Sequence, residues 1–213
     1  MTDSAPKACE PAAIDTSVAH ASRVYDYFLG GTTNFEVDRA ASQHLAGAIG
    51  GLDVARGHVH ANRAFLVRAV RRLADEGIRQ FLDIGTGVPN DTNTHAVAQQ
   101  RVPEARVVCV DNDPIVLAHA HQLITSTPEG EAAFIDADLR DPDQIVTRAA
   151  ATLDFTQPIA VMLVSIVHAL GDHDDRYGLV STLVDALPSG SYLAMSHLAS
   201  DITPDETREA IGD

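Results

Sequence analysis

Apolar and polar positions change their rhythm near residue 80, and that change divides the chain. Before it, the apolar positions recur at helical spacing. Val18 to Leu29 reads as a helix stopped by Gly30-Gly31, with Thr16 and Ser17 as candidate N-caps, and Asn34 to Ile49 as a second helix ended by Gly50-Gly51. In a third, Ala61, Phe65, Ala69 and Leu73 recur every four residues, Leu66 and Val70 widen the stripe, and Gly77 stops it. After residue 80, short apolar runs at Phe81 to Ile84, Arg106 to Val110, Ala132 to Ile135, Ile159 to Val164 and Ser191 to Met195 alternate with helical segments. Strands alternating with helices predict a parallel sheet with helices on its faces, an α/β fold of Rossmann-like type. Asp113-Pro114 and Asp141-Pro142 each set an N-cap residue before a proline at the first helical position, and Gln144 completes a capping box with Asp141. The expected division is a flexible tail over 1–16, an N-terminal helical segment over 17–77 and a nucleotide-binding domain over 78–213.

The first strand runs into Asp83-Ile84-Gly85-Thr86-Gly87. An apolar strand leaving through Gly-x-Gly is a nucleotide-binding turn, because glycines permit the tight turn and let a ligand approach the backbone. A dinucleotide fingerprint needs a third glycine three residues after the second. Asn90 stands there, preceded by Val88 and Pro89, which weighs against an NAD-dependent oxidoreductase.

Charge narrows the partners. Lys and Arg number 15 against 30 Asp and Glu, a formal net charge of −15, so the overall field repels a phosphate backbone and disfavours nucleic acid. Arg56, Arg63, Arg68, Arg71 and Arg72 gather on one segment, and a solvated helix face accounts for them. The longest apolar run, Ile159 to Leu170, carries Ser165 and His168 and is too short to span a bilayer, while polar Met1 to Pro11 lacks a signal peptide's apolar centre. A cytoplasmic protein is expected. Cys9 and Cys109 form neither a disulfide framework nor a zinc spacing.

Several residues are candidates for chemistry. Asp111 closes the second strand, where an acidic side chain can accept both ribose hydroxyls of an adenosine cofactor; Asn112 and Asp113 are the alternatives for its turn, and Asp113 reads as the helix cap. Asp138 follows the third strand, placed to accept from an adenine amino group with Leu139 packed on the ring, although Asp136, Asp138 and Asp141 share one loop that any of them would solvate. Ser165 and His168 lie at the carboxyl edge of the fourth strand; His168 is the candidate general base, with a hydrogen-bonded structural imidazole as the alternative. Asp172, His173, Asp174 and Asp175 cluster without metal-ligand spacing, so no metal is expected.

Ser22-Arg23-Val24-Tyr25-Asp26-Tyr27-Phe28-Leu29-Gly30-Gly31-Thr32-Thr33-Asn34-Phe35, then Asp38-Arg39, Asn62-Arg63-Ala64-Phe65-Leu66 and the Phe81 to Asn90 turn resemble a family of bacterial S-adenosylmethionine-dependent methyltransferases long catalogued as a domain of unknown function. The likeness runs from about Val18 to Asp201. It implies a class I methyltransferase fold with S-adenosylmethionine as cofactor. Asp83, Gly85, Thr86 and Gly87 would lie against its methionine part, Asp111 and Asn112 at the ribose, Asp138 and Leu139 at the adenine, and Ser165 beside them. The N-terminal helices would form a lid carrying Tyr25, Tyr27, Asn34 or Arg63 toward the active site, with at least one tyrosine given to packing because the two stand two apart on a helix. Arg63 would bind a carboxylate of cofactor or substrate. The expected reaction is methyl transfer to an oxygen or nitrogen of a small molecule; a cofactor-binding regulatory protein without turnover is the second expectation. The family continues past the fifth strand into a helix and an antiparallel hairpin, whereas this sequence stops at Asp213, so the last two strands are expected to be missing. An edge left open in that way predicts a fragment, a homodimer or an unstable domain.

Overall fold

A computed structural model describes residues 14–123, 126–171 and 173–198, with the side chains of 120–123 left aside. Three helices come first: α1 (Ala21–Phe28), α2 (Glu36–Ala48) and α3 (Leu52–Asp75). The strands and helices then alternate as β1 (Gln80–Ile84), α4 (Thr94–Arg101), β2 (Arg106–Asp111), α5 (Pro114–Leu123), β3 (Glu131–Asp136), α6 (Pro142–Ala149), β4 (Ala160–Val164), a 3-10 turn at Val167–Ala169, α7 (Arg176–Asp185) and β5 (Tyr192–Ser196). All five strands are parallel in the order β3-β2-β1-β4-β5. The order reverses between β1 and β4, which opens a crevice at their carboxyl ends where open α/β sheets bind ligands.

Strand residues alternate between two cores. Leu82, Ile84, Val108, Val110, Val161 and Leu163 pack with Ile145 and Ala149 of α6 and Leu183 of α7. Phe81, Val107, Cys109, Ala160, Met162 and Val164 pack on the other face with Leu66, Val70 and Leu73 of α3 and Val97 and Ala98 of α4. Both faces are covered, which is why the strands read as continuous apolar runs rather than as alternating ones. A separate small cluster of Phe28, Ala46 and Ala55 joins α1, α2 and α3.

Two expected helix starts shift: α2 begins at Glu36 rather than Asn34, and α1 moves further. α1 begins at Ala21 and is capped by His20, not by Thr16 or Ser17, because the buried Arg23 guanidinium donates to the carbonyls of Asp15 (3.1 Å) and Val18 (2.9 Å) and holds the preceding segment out of the helix. Asp141 caps α6 as expected by accepting from Gln144 N at 3.1 Å, while the Gln144 amide bonds the Asp141 carboxylate at 3.3 Å. Gly50 (φ 100°) and Gly51 (φ 107°) break the chain between α2 and α3. Met1 to Ala13, Asp172 and 199–213 lie outside the described residues, and with them Cys9, most of the expected tail and the segment after β5.

Candidate functional site

β1 ends in a turn whose geometry demands glycine. Gly85 has φ 77°, and a Cβ there would stand 2.8 Å from Ile166 Cγ1, so the side chain after β4 occupies the space the glycine leaves. Gly87 has φ 68° and open space where its Cβ would be. Between them Thr86 is buried and donates from Oγ1 to Asp83 at 2.9 Å. Asp83 is itself buried beneath the turn, and burial pushes its carboxyl above the ordinary carboxylate range. Asn93 completes the support: its Nδ2 donates to the Thr86 carbonyl at 3.0 Å, and its Oδ1 accepts from Asn90 N at 3.1 Å.

The turn opens on a cavity of about 250 Å³, near the low end of the size range for small-molecule sites. Gly85, Thr86 and Gly87 form one wall; Asp111, Asn112, Asp138, Leu139 and Arg140 form another; Val164 ends β4 and Ser165 and Ile166 follow it; and α1 contributes Tyr25 and Asp26, with Leu29 at its end, opposite Arg63 and Leu66 of α3. Asp111 is the link between the first two walls. One of its oxygens accepts the Gly87 N–H at 2.8 Å and the other the Asp113 N–H at 3.0 Å, and burial raises its pKa against those hydrogen bonds. Asn112 donates to Asp138 at 2.9 Å, and Arg140 bridges Asp138 (3.2 Å) to Asp174 (3.1 Å), closing that end.

Ser165 is the one non-glycine residue at positive φ (61°) among the described residues. Such a conformation costs roughly 1–3 kcal/mol and clusters at functional sites. Arg63 stands with its guanidinium 5.4 Å from the Tyr25 ring centre, Nη1 3.5 Å from Asn93 Oδ1, and Nε buried with no hydrogen-bond partner.

Most of the expected site residues converge here: Gly85, Thr86, Gly87, Asp111, Asn112, Asp138, Leu139, Ser165, Tyr25 and Arg63 all line the cavity. Four do not. Asp83 acts from below through Thr86. Tyr27 turns away into the helical cluster, stacked near Phe28 and under Arg56, so the two tyrosines diverge as their spacing requires. Asn34 reaches the cavity only through Asp26, to whose carboxylate it donates at 2.9 Å. His168, the candidate base, lies outside the cavity lining: its ring is edge-on to His197 at 5.6 Å, with Nδ1 buried and unpartnered, and burial together with His197 pushes it down to about 4.

Asp113 does more than cap. Burial alone would raise it, but Ser22 Oγ (2.5 Å) and His20 Nδ1 (3.0 Å) bring it down to about 2, and Arg23 Nε lies 3.5 Å away. Sequence reasoning missed this latch, together with Asp26, Asn93 and Arg140. The one available signal was the density of polar residues in the Ser22 to Asn34 stretch. Among the described residues no group of three or more His, Cys, Asp or Glu side chains is arranged to hold a metal, and no helix is long and apolar enough to cross a membrane.

A five-stranded parallel sheet with a glycine turn under its switch point, an acidic residue ending β2 and helices folded over the opening defines a Rossmann-like, class I methyltransferase type of protein. The S-adenosyl methyltransferase family matches residues 7–212. A DUF574 family protein from Streptomyces avermitilis is 45% identical over 93% of this chain and 76% of its own, with a TM-score of 0.87. A protein from Thermobifida fusca proposed to be a methyltransferase is 42% identical over 92% of this chain and 72% of its own, with a TM-score of 0.81. Among curated proteins none matches. The chain belongs to the S-adenosyl methyltransferase family, and its cofactor is S-adenosylmethionine.

Proposed function

We propose that the protein transfers a methyl group to an oxygen or nitrogen of a small molecule. The carrying observation is that the Asp111 carboxylate accepts the Gly87 N–H at 2.8 Å, joining two walls of the cavity. A buried carboxylate with lone pairs left over suits a pair of ribose hydroxyls, and a turn without Cβ atoms suits a ligand lying against the backbone. When bound, the cofactor would supply an electrophilic methyl group on its sulfonium: the acceptor atom would attack the methyl carbon as the carbon–sulfur bond breaks in line, with S-adenosylhomocysteine as the leaving thioether and the acceptor's proton released to solvent.

The residues then have separate tasks. Gly85 to Gly87 receive the methionine part, Asp111 and Asn112 the ribose, and Asp138 and Leu139 the adenine. Arg63, with its unpartnered Nε, takes the carboxylate. α1 covers the opening and excludes water. Placement supplies much of the acceleration of such a displacement, since holding the reactants in line removes several kcal/mol of entropic barrier. The net charge of −15 favours a small acceptor over nucleic acid.

Calorimetric titration with S-adenosylhomocysteine, with NAD as control, tests the reading. Selective binding that falls at least tenfold in a folded Asp111→Ala variant supports it, and a methyl-transfer screen of hydroxyl and amine acceptors then finds the substrate. A folded native chain that ignores S-adenosylhomocysteine refutes it.

A further inference from the structure

Two walls of the cavity are joined by a chain of hydrogen bonds that does not itself face the cavity. Ser165 N–H donates to Ser196 Oγ at 3.0 Å, with the Ser196 carbonyl at 3.3 Å. Ser196 Oγ donates to Asn62 Oδ1 at 2.6 Å. Asn62 Nδ2 donates to Tyr25 Oη at 2.9 Å, and Tyr25 Oη donates to the Val59 carbonyl at 3.3 Å. Each hydroxyl has one proton and spends it in the same direction, so the chain has a single consistent sense from β4 to α3. Its outer members, Ser165 and Tyr25, line the cavity; Asn62 and Ser196 do not.

We infer that Asn62 and Ser196 are positioning residues, forming a relay that locks the covering helix α1 to the strained Ser165 at the sheet edge. Three observations meet here. Ser165 sits at φ 61°, a conformation that persists only where its surroundings over-determine it, and the Ser196 hydroxyl and carbonyl both take its N–H. Among the described residues Asn62 is the side chain that bonds both Ser196 and Tyr25, its amide presenting an acceptor to one and a donor to the other. Tyr25 in turn is the ring beneath the Arg63 guanidinium. The floor at Ser165, the cover at Tyr25 and the charge at Arg63 are therefore set together, and the gap that receives the acceptor has one width. This deepens the proposed methyl transfer and rests on it for its catalytic meaning, though not for its test.

The test reads amide exchange at Ser165 by NMR in the ligand-free protein, with Leu82 in the middle of β1 as the internal control. Tyr25→Phe removes a hydroxyl that does not touch Ser165, yet the relay requires its Ser165 amide to exchange about tenfold faster with Leu82 unchanged. Asn62→Leu, close to Asn in size and without polar atoms, removes both the acceptor for Ser196 and the donor to Tyr25, so it should speed Ser165 exchange at least as much as Tyr25→Phe and serves alone if that variant does not fold. In a Ser196→Ala background the relay is already cut, and Tyr25→Phe should then add nothing; contacting groups are non-additive in this way and independent ones are not. Unchanged Ser165 exchange in the folded single variants, or an equal effect of Tyr25→Phe with and without Ser196, overturns the inference. Failure of the native chain to bind S-adenosylhomocysteine would instead strike the proposed function and leave these exchange results standing.

Discussion

Ser22 Oγ donates to the Asp113 carboxylate at 2.5 Å, tying the first turn of α1 to the start of α5 across 91 residues of sequence. His20 joins the same carboxylate at 3.0 Å, so α1, which lines the cavity, is held by a titratable pair. Its hydrogen bond to Asp113 raises His20 above 6.5, with Asp111 adding to the rise and burial and Arg23 opposing it. Asp113, at about 2, lies below its ordinary 3.8. The signs follow from linkage: the His20 contribution is full below pH 6.5 and is lost as pH rises through its raised value, while that of Asp113 is present above 3.8 and is lost as pH falls toward 2. Amide exchange across α1, corrected for intrinsic rates, should therefore be slowest between those limits. His20→Gln should flatten the alkaline side, and an α1 that opens equally across the range would contradict the latch.

Gly85→Ala and Gly87→Ala separate backbone strain from crowding. Both glycines are in the left-handed region, where an L side chain costs roughly 1–2 kcal/mol. Only Gly85 has a neighbour in the way, Ile166 Cγ1 at 2.8 Å from the added Cβ, which brings a further 1–3 kcal/mol or so of overpacking. Urea unfolding should rank Gly85→Ala below Gly87→Ala, and Ile166→Ala, which removes Cγ1, should narrow the gap between them. Equal losses would mean that Ile166 gives way freely.

Asn93 is expected to matter more than its loop position suggests. It is 1% exposed and bonds the Thr86 carbonyl and the Asn90 amide. Asn93→Ala leaves both groups without their partner, at a cost of about 1–3 kcal/mol. The same substitution should weaken S-adenosylhomocysteine binding about tenfold by loosening the glycine turn. A variant that binds as the native chain does would show that Asp83 and Thr86 hold the turn unaided.

How far this site was legible depended on the range of the interactions involved. The strands, the glycine turn and Asp111 were readable because local pattern dictates them: Phe81, Leu82 and Ile84 are apolar since both faces of β1 are covered, and Gly85 is glycine since its φ is 77°. Asp113 was readable as a cap, through its bond to Ile115 N at 2.9 Å, but its contacts with Ser22 and His20 join segments that only the folded chain brings together. The orientation of His168 was illegible for a related reason. Its place after β4 matched a catalytic edge, and the turn at Val167–Ala169 then rotated the ring toward His197, which no spacing in the sequence encodes.

That orientation carries the last prediction. Burial, with His197 beside it, brings His168 down to about 4, which favours the neutral ring near neutral pH. Since the unfolded value is 6.5, the neutral ring contributes stability that is present above 6.5 and is lost as pH falls through the lowered value. His168→Phe keeps a ring against His197, removes the orphaned Nδ1 and should therefore flatten the acid side of the stability profile, read as the urea midpoint against pH. Its affinity for S-adenosylhomocysteine should stay within about twofold of the native chain, because His168 is not among the residues lining the cavity. With an acceptor in hand, the pH profile of methyl transfer should likewise be unchanged. A profile that loses its acid limb in His168→Phe would return the imidazole to the active site and require the 3-10 turn to rearrange when substrate binds.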